Sequence, residues 1–338
     1  MAFSWMIVGP GSIANRFAEA IAHTAGARLG SICGRDAARS AAFAARWAAP
    51  GGAPPRSATD IHALLEAGGV DGVYIATPHS HHDLFIEACL RAGKPVLCEK
   101  PLVVNRATAE RLVALARSRR VFLMEALWTR FLPIYGAVGA WLDEGAIGRL
   151  RHIQSSFCFP TAFDPESRLF APALAGGALL DTGIYNLSMA QWAVARATHQ
   201  SCPEPSSIDA SALLAPSGVD MRVMATLWFP GDVGVQFTCG YDCEAGNAMH
   251  LCGDAGRIVI PNRFWEARDA VLERPGKEPE IRRLPFRVNG FEYQLDEAMG
   301  CVRRGALQSE RIRHEDSCAV IGWMDEIRRR IGVAYPFE

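Results

Sequence analysis

A lysine directly after a short apolar run is the residue of this sequence best placed for chemistry. The segment Gly93 to Pro101 is apolar in its middle and ends in Glu99, Lys100 and Pro101. We interpret the run as a buried strand that carries Lys100 to the edge of a parallel sheet, because ligands bind outside the carboxyl ends of such strands. The amine of Lys100, when neutral, can accept the proton of a hydroxyl group.

A second set of candidate groups lies in the segment Gly176 to Tyr185. If this segment is helical, Asp181 and Tyr185 lie on one face of the helix. Tyr185 is then an alternative proton acceptor to Lys100, and the sequence leaves the choice between them open. Asp181 would orient a substrate hydroxyl or the lysine. A tyrosine that only fills the core is the competing interpretation.

The start of the chain has the pattern of a strand, a glycine loop and a helix. In the loop, Gly9 permits a tight turn, Gly11 lets a pyrophosphate approach the backbone, and Ala14 is small enough for the helix to pack on the strand. Backbone N–H groups at the helix start, near Ser12 and Ile13, bind phosphate in such loops. The pattern predicts dinucleotide binding.

The second predicted strand, 27–33, ends in Gly34, Arg35 and Asp36. An acidic residue that holds the ribose of NAD is expected at this place, and the sequence has a guanidinium there instead. Arg35, with Arg39 one helical turn later, favours the 2′-phosphate of NADP. Asp36 keeps NAD possible, and a simple alternative is that Asp36 caps the next helix while both arginines are solvated.

Length, charge and hydropathy narrow the class of protein. The 338 residues suffice for two domains, each with its own core. The net charge of -1 comes with no basic block of the kind that binding to nucleic acid requires. No apolar run reaches the length of a membrane span. We therefore expect a small-molecule substrate, and neither nucleic acid nor a membrane as partner.

The cysteines and histidines predict no metal site. Ten cysteines are scattered through predicted strands and helices, which is typical of reduced thiols in the cytoplasm. A first strand that begins at once, without a charged leader, fits the same compartment. Cys239 and Cys243 have a loose pair spacing, and His79, His81 and His82 are clustered, but no further ligands complete either set.

The order of elements predicts two domains. Strands and helices alternate over residues 1–124, which predicts a doubly wound parallel Rossmann sheet. Residues 125–338 have long strands joined by Gly, Pro and Asp turns, with hairpins at 229–233 and 253–256, which predicts an α+β domain with a large, open, mainly antiparallel sheet. On one of its strands Met224 and Trp228 make the second face partly apolar. We expect a homodimer that covers this face.

Several motifs together resemble one enzyme family. They are the glycine loop, Thr77-Pro78-His79 with His82, Glu99-Lys100-Pro101, the stretch 124–133 and the Asp181/Tyr185 helix. The chain resembles the glucose-fructose oxidoreductase, inositol dehydrogenase and rhizopine-catabolism (Gfo/Idh/MocA) family nearly end to end. The most similar branch is that of dimeric dihydrodiol dehydrogenases and NADP-dependent xylose dehydrogenases. Pro10 and His79 depart from the residues common in the family.

The resemblance implies a Rossmann domain, a carboxy-terminal open-sheet domain, NADP and a cleft between the domains. It implies that Lys100 and Tyr185 are catalytic and that Asp181 supports them. We expect cofactor contacts from Gly9, Gly11, Ser12, Ile13, Ala14, Arg35, Arg39, Thr77, Pro78, His79, His82, Glu99, Lys100 and Pro101.

The expected substrate is a sugar, such as an aldose, or a cyclic trans-dihydrodiol. Trp128, Phe131, Phe159 and Phe163 are predicted to form an apolar wall for it, and Arg130 a polar contact, together with Asp181 and Tyr185. The sequence thus predicts an NADP-dependent dehydrogenase that moves a hydride between NADP and this substrate. A non-catalytic, cofactor-binding regulator with the same fold is the alternative.

Overall fold

The computed structural model describes residues 2–49 and 51–338. The chain folds into two compact units. The first unit comprises Met1–Val103, Ala107–Trp128 and Arg287–His314, and the second comprises Val104–Arg106, Thr129–Phe286 and Glu315–Glu338. The division between residues 124 and 125 stays a sequence-based prediction, and the first unit also takes in a segment from late in the chain.

The described strands and helices alternate at first and then give way to a run of strands. In chain order the strands are β1 Phe3–Val8, β2 Ala27–Cys33, β3 Arg56–Ala58, β4 Gly72–Ile75, β5 Val96–Glu99, β6 Leu123–Ala126, β7 Leu150–Cys158, β8 Ser207–Leu214, β9 Asp220–Phe229, β10 Val233–Gly240, β11 Met249–Gly253, β12 Arg257–Ile260, β13 Asp269–Glu273 and β14 Glu280–Arg283. The α-helices are α1 Ser12–Ala22, α2 Ala37–Arg46, α3 Ile61–Glu66, α4 His82–Arg91, α5 Arg106–Arg119, α6 Pro133–Asp143, α7 Ile184–Thr198, α8 Glu292–Arg303 and α9 His314–Ile331.

The first unit contains a six-stranded parallel sheet in the order β3-β2-β1-β4-β5-β6. The prediction of a doubly wound Rossmann sheet is confirmed. All six residues of β1 are buried, as expected of a central strand with both faces covered. Its Trp5 packs edge-on against Phe17 of α1, which stacks on Tyr74 of β4 with ring centroids 3.7 Å apart.

A segment from late in the chain completes the first unit. Helix α8 packs against α1, and the guanidinium of Arg16 lies 4.7 Å from the ring centroid of Trp128 and 4.9 Å from that of Phe291. Arg16 also donates to the carbonyl of Asn289 at 2.8 Å. Cation–π contacts of this kind join parts of the chain that are remote in sequence, so no local pattern predicts them.

The second unit contains an eight-stranded sheet in the order β14-β13-β12-β11-β7-β10-β9-β8. Among the described strands of this second sheet only the β7–β10 pair is parallel, so the prediction of a mainly antiparallel sheet is confirmed. The predicted hairpins at 229–233 and 253–256 are present. The sequence pattern does not predict strands β8, β13 and β14. Strands β13 and β14 have only five and four residues, and β8 is a largely exposed edge strand.

The two faces of β9 differ as the sequence predicts. Val223, Ala225 and Leu227 are buried, whereas Met224 is 55% and Trp228 48% exposed. A groove of about 580 Å³ lies on the open face of the sheet, lined by residues of β7 to β11 that include Met224. A large, partly apolar sheet face is therefore exposed in the single chain.

The local structure differs from simple expectation at two places. The spacing of Ser80 and Asp83 resembles a capping box, which predicts a helix that starts at Ser80, but His79–His81 form a 3₁₀ turn, α4 begins at His82, and the Ser80 hydroxyl lies 2.9 Å from Nδ1 of His81. The segment that carries Asp181 is helical, but residues Leu179–Gly183 form a π-helical turn that precedes α7. Single π-helical turns inserted before or within α-helices are frequent at functional sites.

Candidate active site

The glycine loop after β1 leaves room for a phosphate. Gly9 has φ +88°, and a Cβ there would lie 2.7 Å from the carbonyl oxygen of Ala76, so a side chain is excluded. A Cβ on Gly11 would meet no atom closer than 3.9 Å, which leaves open space beside the backbone. Gly11 is the N-cap of α1 and no side chain caps the helix. The first amides of α1 are thus placed to bind an anion.

The end of β2 lies against the glycine loop. A Cβ on Gly34 would lie 2.7 Å from Cδ of Pro10, so only glycine fits this approach. Asp36 caps α2, since its Oδ1 accepts the N–H of Arg39 at 2.8 Å. The side chains of Arg35 and Arg39 are exposed. The carboxylate therefore has a structural role, and the two guanidinium groups remain accessible to an anion.

A buried histidine connects the loops that follow β4 and β5. Nδ1 of His82 lies 2.9 Å from the carbonyl oxygen of Pro101, and Nε2 lies 3.0 Å from that of Thr77. Burial lowers the pKa of His82, against the opposing effect of these backbone contacts. His82 is fully buried, which argues against the predicted contact with a cofactor. Its position makes it a brace between the two loops.

The residues around Lys100 form a small buried network at the end of β5. The hydroxyl of Tyr74 donates to Oε1 of Glu99, and the N–H of Lys100 donates to Oε2 of Glu99 at 3.3 Å. The Lys100–Pro101 peptide bond is cis, and Lys100 itself is partly exposed. The structure thus places Lys100 at the carboxyl end of β5, as the sequence predicts.

Thr77 is an unsatisfied polar residue at the neighbouring strand end. Its Oγ1 is buried and has no hydrogen-bond partner within residues 2–49 and 51–338. A buried hydroxyl without a partner is costly in a native protein. A bound molecule that offers a donor or acceptor at this strand end would satisfy it. Pro78 and the buried His79 follow directly in the 3₁₀ turn.

In the second unit, Asp181 is held from two sides. Nη1 of Arg168 lies 3.2 Å from Oδ1 of Asp181, and the hydroxyl of Tyr241 donates to Oδ2 at 3.1 Å. Burial, and then the charge of Asp181, raise the pKa of Tyr241 well above its ordinary value. Tyr241 therefore stays a hydrogen-bond donor, and the carboxylate keeps one orientation. Neither Arg168 nor Tyr241 has a local sequence pattern that predicts this role.

Tyr185 lies at the start of α7 and borders an aromatic cluster. Its ring centroid is 5.5 Å from that of Phe157, which stacks on Trp265 at 3.3 Å. Phe157 and Trp265 are functional candidates that the sequence analysis missed. The spacing of Phe157 and Phe159 on one strand was the available signal, since residues two apart share a face. No local pattern marks Trp265.

Burial corrects part of the predicted substrate wall. Trp128 is 2% and Phe131 1% exposed, so both pack in the interior. Arg130 is 6% exposed, and its Nη2 donates to the carbonyl of Ser188 at 2.8 Å and to Oε1 of Gln191 at 2.9 Å. These contacts tie Arg130 to α7 and argue against a substrate contact, because a buried arginine needs its partners.

Two predicted wall residues keep accessible surface. Phe159 is partly exposed and its ring centroid lies 5.2 Å from that of Tyr241. Phe163 is 39% exposed and packs on Phe170 at 5.1 Å. Both rings belong to the second unit, like Asp181. They remain candidates for an apolar substrate surface.

Comparison with known proteins identifies the family. Residues 3–127 match an oxidoreductase family with an NAD-binding Rossmann fold, and residues 135–259 match the GFO/IDH/MocA C-terminal domain. The chain belongs to the Gfo/Idh/MocA oxidoreductase family. Its first unit is therefore an NAD(P)-binding Rossmann unit.

Relatives of known activity cover almost all of this Gfo/Idh/MocA chain. Human trans-1,2-dihydrobenzene-1,2-diol dehydrogenase is 33% identical over 83% of this chain and 84% of its own. The mouse enzyme of the same name is 32% identical over 99% of both. A 3-ketoreductase from Actinomadura kijaniata, solved with NADP and TDP-benzene, is 28% identical over 98% of both chains, with a TM-score of 0.84.

A more distant structure supports the fold alone. The aldose-aldose oxidoreductase from Caulobacter crescentus, solved with glycerol, is 24% identical over 98% of this chain and 97% of its own, with a TM-score of 0.85.

Within the described ranges, no group of three or more His, Cys, Asp or Glu side chains is arranged to hold a metal ion. A search of the same ranges finds no helix with the length and hydropathy needed to cross a bilayer.

Proposed function

We propose that this protein is an NADP-dependent dehydrogenase that oxidises a hydroxyl-bearing carbon of a sugar or of a cyclic trans-dihydrodiol. The observation that carries the proposal is Lys100, which stands at the carboxyl end of β5 in the Rossmann unit, where ligands of such sheets bind. Relatives named as dihydrodiol dehydrogenases support the diol, and a ketoreductase solved with NADP supports the cofactor.

The residues present fit a dinucleotide. The open space at Gly11 and the uncapped start of α1, at Ser12 and Ile13, suit a pyrophosphate. The exposed guanidinium groups of Arg35 and Arg39 suit the 2′-phosphate of NADP, and the engagement of the Asp36 carboxylate in the cap of α2 supports NADP over NAD. Further cofactor contacts are proposed at the ends of β4 and β5, from Thr77, Pro78, His79, Glu99, Lys100 and Pro101.

A bound oxidised nicotinamide would supply the acceptor for the hydride that leaves the substrate carbon. The protein must then remove the hydroxyl proton, and we assign this to Lys100 or Tyr185. Asp181, fixed by Arg168 and Tyr241, orients the substrate hydroxyl or the amine. The pair of a lysine and a tyrosine is also the pair of residue types replaced in solved variants of the related ketoreductase.

A second copy of the chain is the proposed partner of the open sheet. The exposed side chains of Met224 and Trp228 support a homodimer formed through this face.

The cytoplasm is the proposed compartment. It is supported by the ten cysteines, none of which forms a disulfide in the part of the chain that the structure describes.

A substrate screen tests the proposed function. NADP reduction is followed at the absorbance of the reduced nicotinamide with D-xylose, D-glucose, an inositol and a trans-dihydrodiol. We expect turnover with an aldose or the dihydrodiol, and slower turnover when NAD replaces NADP. Tight NADP binding with no turnover of any of the four would instead support a non-catalytic regulator with this fold.

A further inference from the structure

A buried carboxylate outside the proposed catalytic set contacts the π-helical turn that carries Asp181. Asp220 is the first residue of β9 and is 0% exposed. Its Oδ2 accepts the N–H of Leu179, the first residue of the turn, at 2.6 Å. The amide of Ala178 also stabilises this carboxylate. Because the first amides of a helical turn have no partner within the turn, Asp220 supplies one.

The chain before the turn is shaped to lie on Asp220. Gly177 has φ +116°, and a Cβ there would clash with Oδ1 of Asp220. Oδ1 itself has no hydrogen-bond partner among the residues that the structure describes. Any side chain at 177 would therefore displace either the carboxylate or the turn.

Two tyrosines hold the carbonyl groups of the same segment. The hydroxyl of Tyr335 donates to the carbonyl of Gly176 at 2.7 Å. The hydroxyl of Tyr241 is 3.2 Å from the carbonyl oxygen of Gly177 and 3.1 Å from Oδ2 of Asp181. The segment 176–181 is thus held at the carbonyl of Gly176 by Tyr335 and at its amides by Asp220. The single hydroxyl proton of Tyr241 is shared between the carbonyl of Gly177 and the carboxylate of Asp181, which links this segment to Asp181.

We propose that Asp220 is a positioning residue for the proposed dehydrogenase reaction, whose ionised carboxylate holds the π-helical turn so that Asp181 and Tyr185 keep their orientation. The inference rests on the proposed function for its effect on turnover. Its structural part, that Asp220 holds the segment 177–184, stands independently of any substrate. A displacement of about 1 Å of a reacting group can cost roughly 100-fold in rate, so support of the turn has a kinetic consequence.

The surroundings leave Asp220 as the group that titrates near neutral pH. Burial raises the pKa of Asp220 to about 7, against the opposing effect of backbone hydrogen bonds and of Arg328. Four titratable or charged groups face Asp220. They are Arg328 of α9, Tyr335 of the C-terminal segment, Cys239 of β10, and Tyr241, the residue that directly follows β10. Burial raises the pKa of Cys239, Tyr241 and Tyr335 well above their ordinary values.

Arg328 remains charged throughout this range. Burial opposes its charge, but hydrogen bonds to Glu338 and Asp325 outweigh burial and raise its pKa. Protonation of Asp220 on Oδ1, which has no partner among the described residues, leaves Oδ2 as an uncharged acceptor and so weakens its charge-assisted hydrogen bond from the N–H of Leu179. The turn should therefore be held more weakly below a pH of about 7.

The experiment compares Asp220→Asn and Asp220→Ala with the wild type. The matched control is Asp232→Asn, the same chemical change at the other end of β9, in an exposed turn where Asp232 has φ +61°, a conformation that asparagine accepts. Three quantities are measured on each full-length variant. They are kcat as a function of pH, the dissociation constant of NADP, and hydrogen–deuterium exchange of peptides that cover 177–184.

We expect Asp220→Asn to lower kcat about 10- to 100-fold while NADP affinity changes less than about twofold. The wild-type decline of kcat below a pH of about 7 should be absent from this variant. Exchange over 177–184 should accelerate in both Asp220 variants and stay unchanged in Asp232→Asn. Retained NADP affinity shows that the variants are folded.

Unchanged exchange over 177–184 in both Asp220 variants would overturn the inference, whether or not the enzyme turns over. Accelerated exchange with wild-type kcat and an unchanged pH profile would also overturn it, since the turn would then be irrelevant to catalysis. Failure of the proposed function gives a different result. The wild type itself then shows no turnover, and the exchange measurement still decides whether Asp220 holds the turn.

Discussion

At the scale of single residues, Lys100 is the group on which the proposed chemistry depends most. We expect Lys100→Ala to lower kcat about 100- to 10,000-fold, because a positioned proton-transfer group contributes this much. The affinity for NADP, measured by fluorescence titration, should change little. The proposed phosphate contacts lie in the glycine loop and at the end of β2, and neither includes Lys100.

Lys94 offers a matched control for this variant. It stands just before β5, at the opposite end of the strand from Lys100, and its Nζ donates to the carbonyl of Val70 at 3.0 Å. Lys94→Ala should keep kcat within about threefold of the wild type. If Lys100→Ala retains wild-type turnover, the assigned role of Lys100 is wrong.

Arg35 is the residue that should decide between the two nicotinamide cofactors. We expect Arg35→Asp to lower kcat/KM for NADP relative to NAD by about tenfold or more, because it replaces a charge-assisted contact with repulsion of the 2′-phosphate. Arg28→Asp is the control, since Arg28 is exposed on the same chain segment at the opposite end of β2. An unchanged cofactor ratio in Arg35→Asp would contradict the NADP proposal.

At the scale of elements, His82 braces the loops after β4 and β5. His82→Ala should lower the free energy of unfolding by about 2 to 4 kcal/mol, because it leaves a cavity and removes the hydrogen bond that the single N–H of the neutral ring donates to a buried carbonyl group. It should also lower kcat, since the loop after β5 carries Lys100. Urea unfolding measures the first effect, with exposed His62→Ala as control.

The same substitution has a pH signature. Burial lowers the pKa of folded His82, so the unfolded chain binds its proton first as the pH falls through the ordinary value of 6.5. The contribution of His82 is complete above that pH and is lost below it. The stability difference between the wild type and His82→Ala should therefore be larger at a pH of about 8 than at about 5.5. A constant difference would count against a neutral buried imidazole.

At the scale of the whole molecule, the open sheet predicts the assembly state. We expect the Met224→Lys/Trp228→Lys double variant to weaken self-association about 100-fold or more, because two like charges would meet across a symmetric face. Sedimentation velocity should show particles of twice the 36.7 kDa chain mass for the wild type. Thermal stability of the single chain should change little, as both side chains are exposed.

Leu84→Lys is the control for the assembly experiment. Leu84 is an exposed apolar side chain on α4 of the first unit, whereas the open sheet belongs to the second unit. This variant should sediment like the wild type. Wild-type protein that sediments as a monomer at micromolar concentration would contradict the homodimer.

Much of the fold follows from local patterns of the sequence. The bounds of β1 and β2 and the two predicted hairpins match the structure, because buried strands and tight turns are specified by neighbouring residues. The glycine loop is equally local, since positive φ at Gly9 and open space at Gly11 depend on a few adjacent residues. Lys100 could be placed for the same reason: the end of a strand is visible in sequence.

Other features depend on contacts between residues far apart in the chain. Arg130 meets Ser188, Arg16 meets Asn289, and Leu179 meets Asp220. No local pattern encodes such pairs, and they decide which polar side chains are buried and satisfied. For this reason the sequence does not reveal that Trp128 and Arg130, both predicted substrate contacts, are buried.

The sequence alone determined which chemical groups are present and how they are spaced. They are a glycine loop for a dinucleotide, an amine at a strand end, and a carboxylate and a phenol four residues apart. Only the tertiary structure decided how these groups are supported. The π-helical turn, the brace at His82 and the buried Asp220 arise from packing across the fold. Residue types specify what a site can do, and long-range contacts specify which orientation each group keeps.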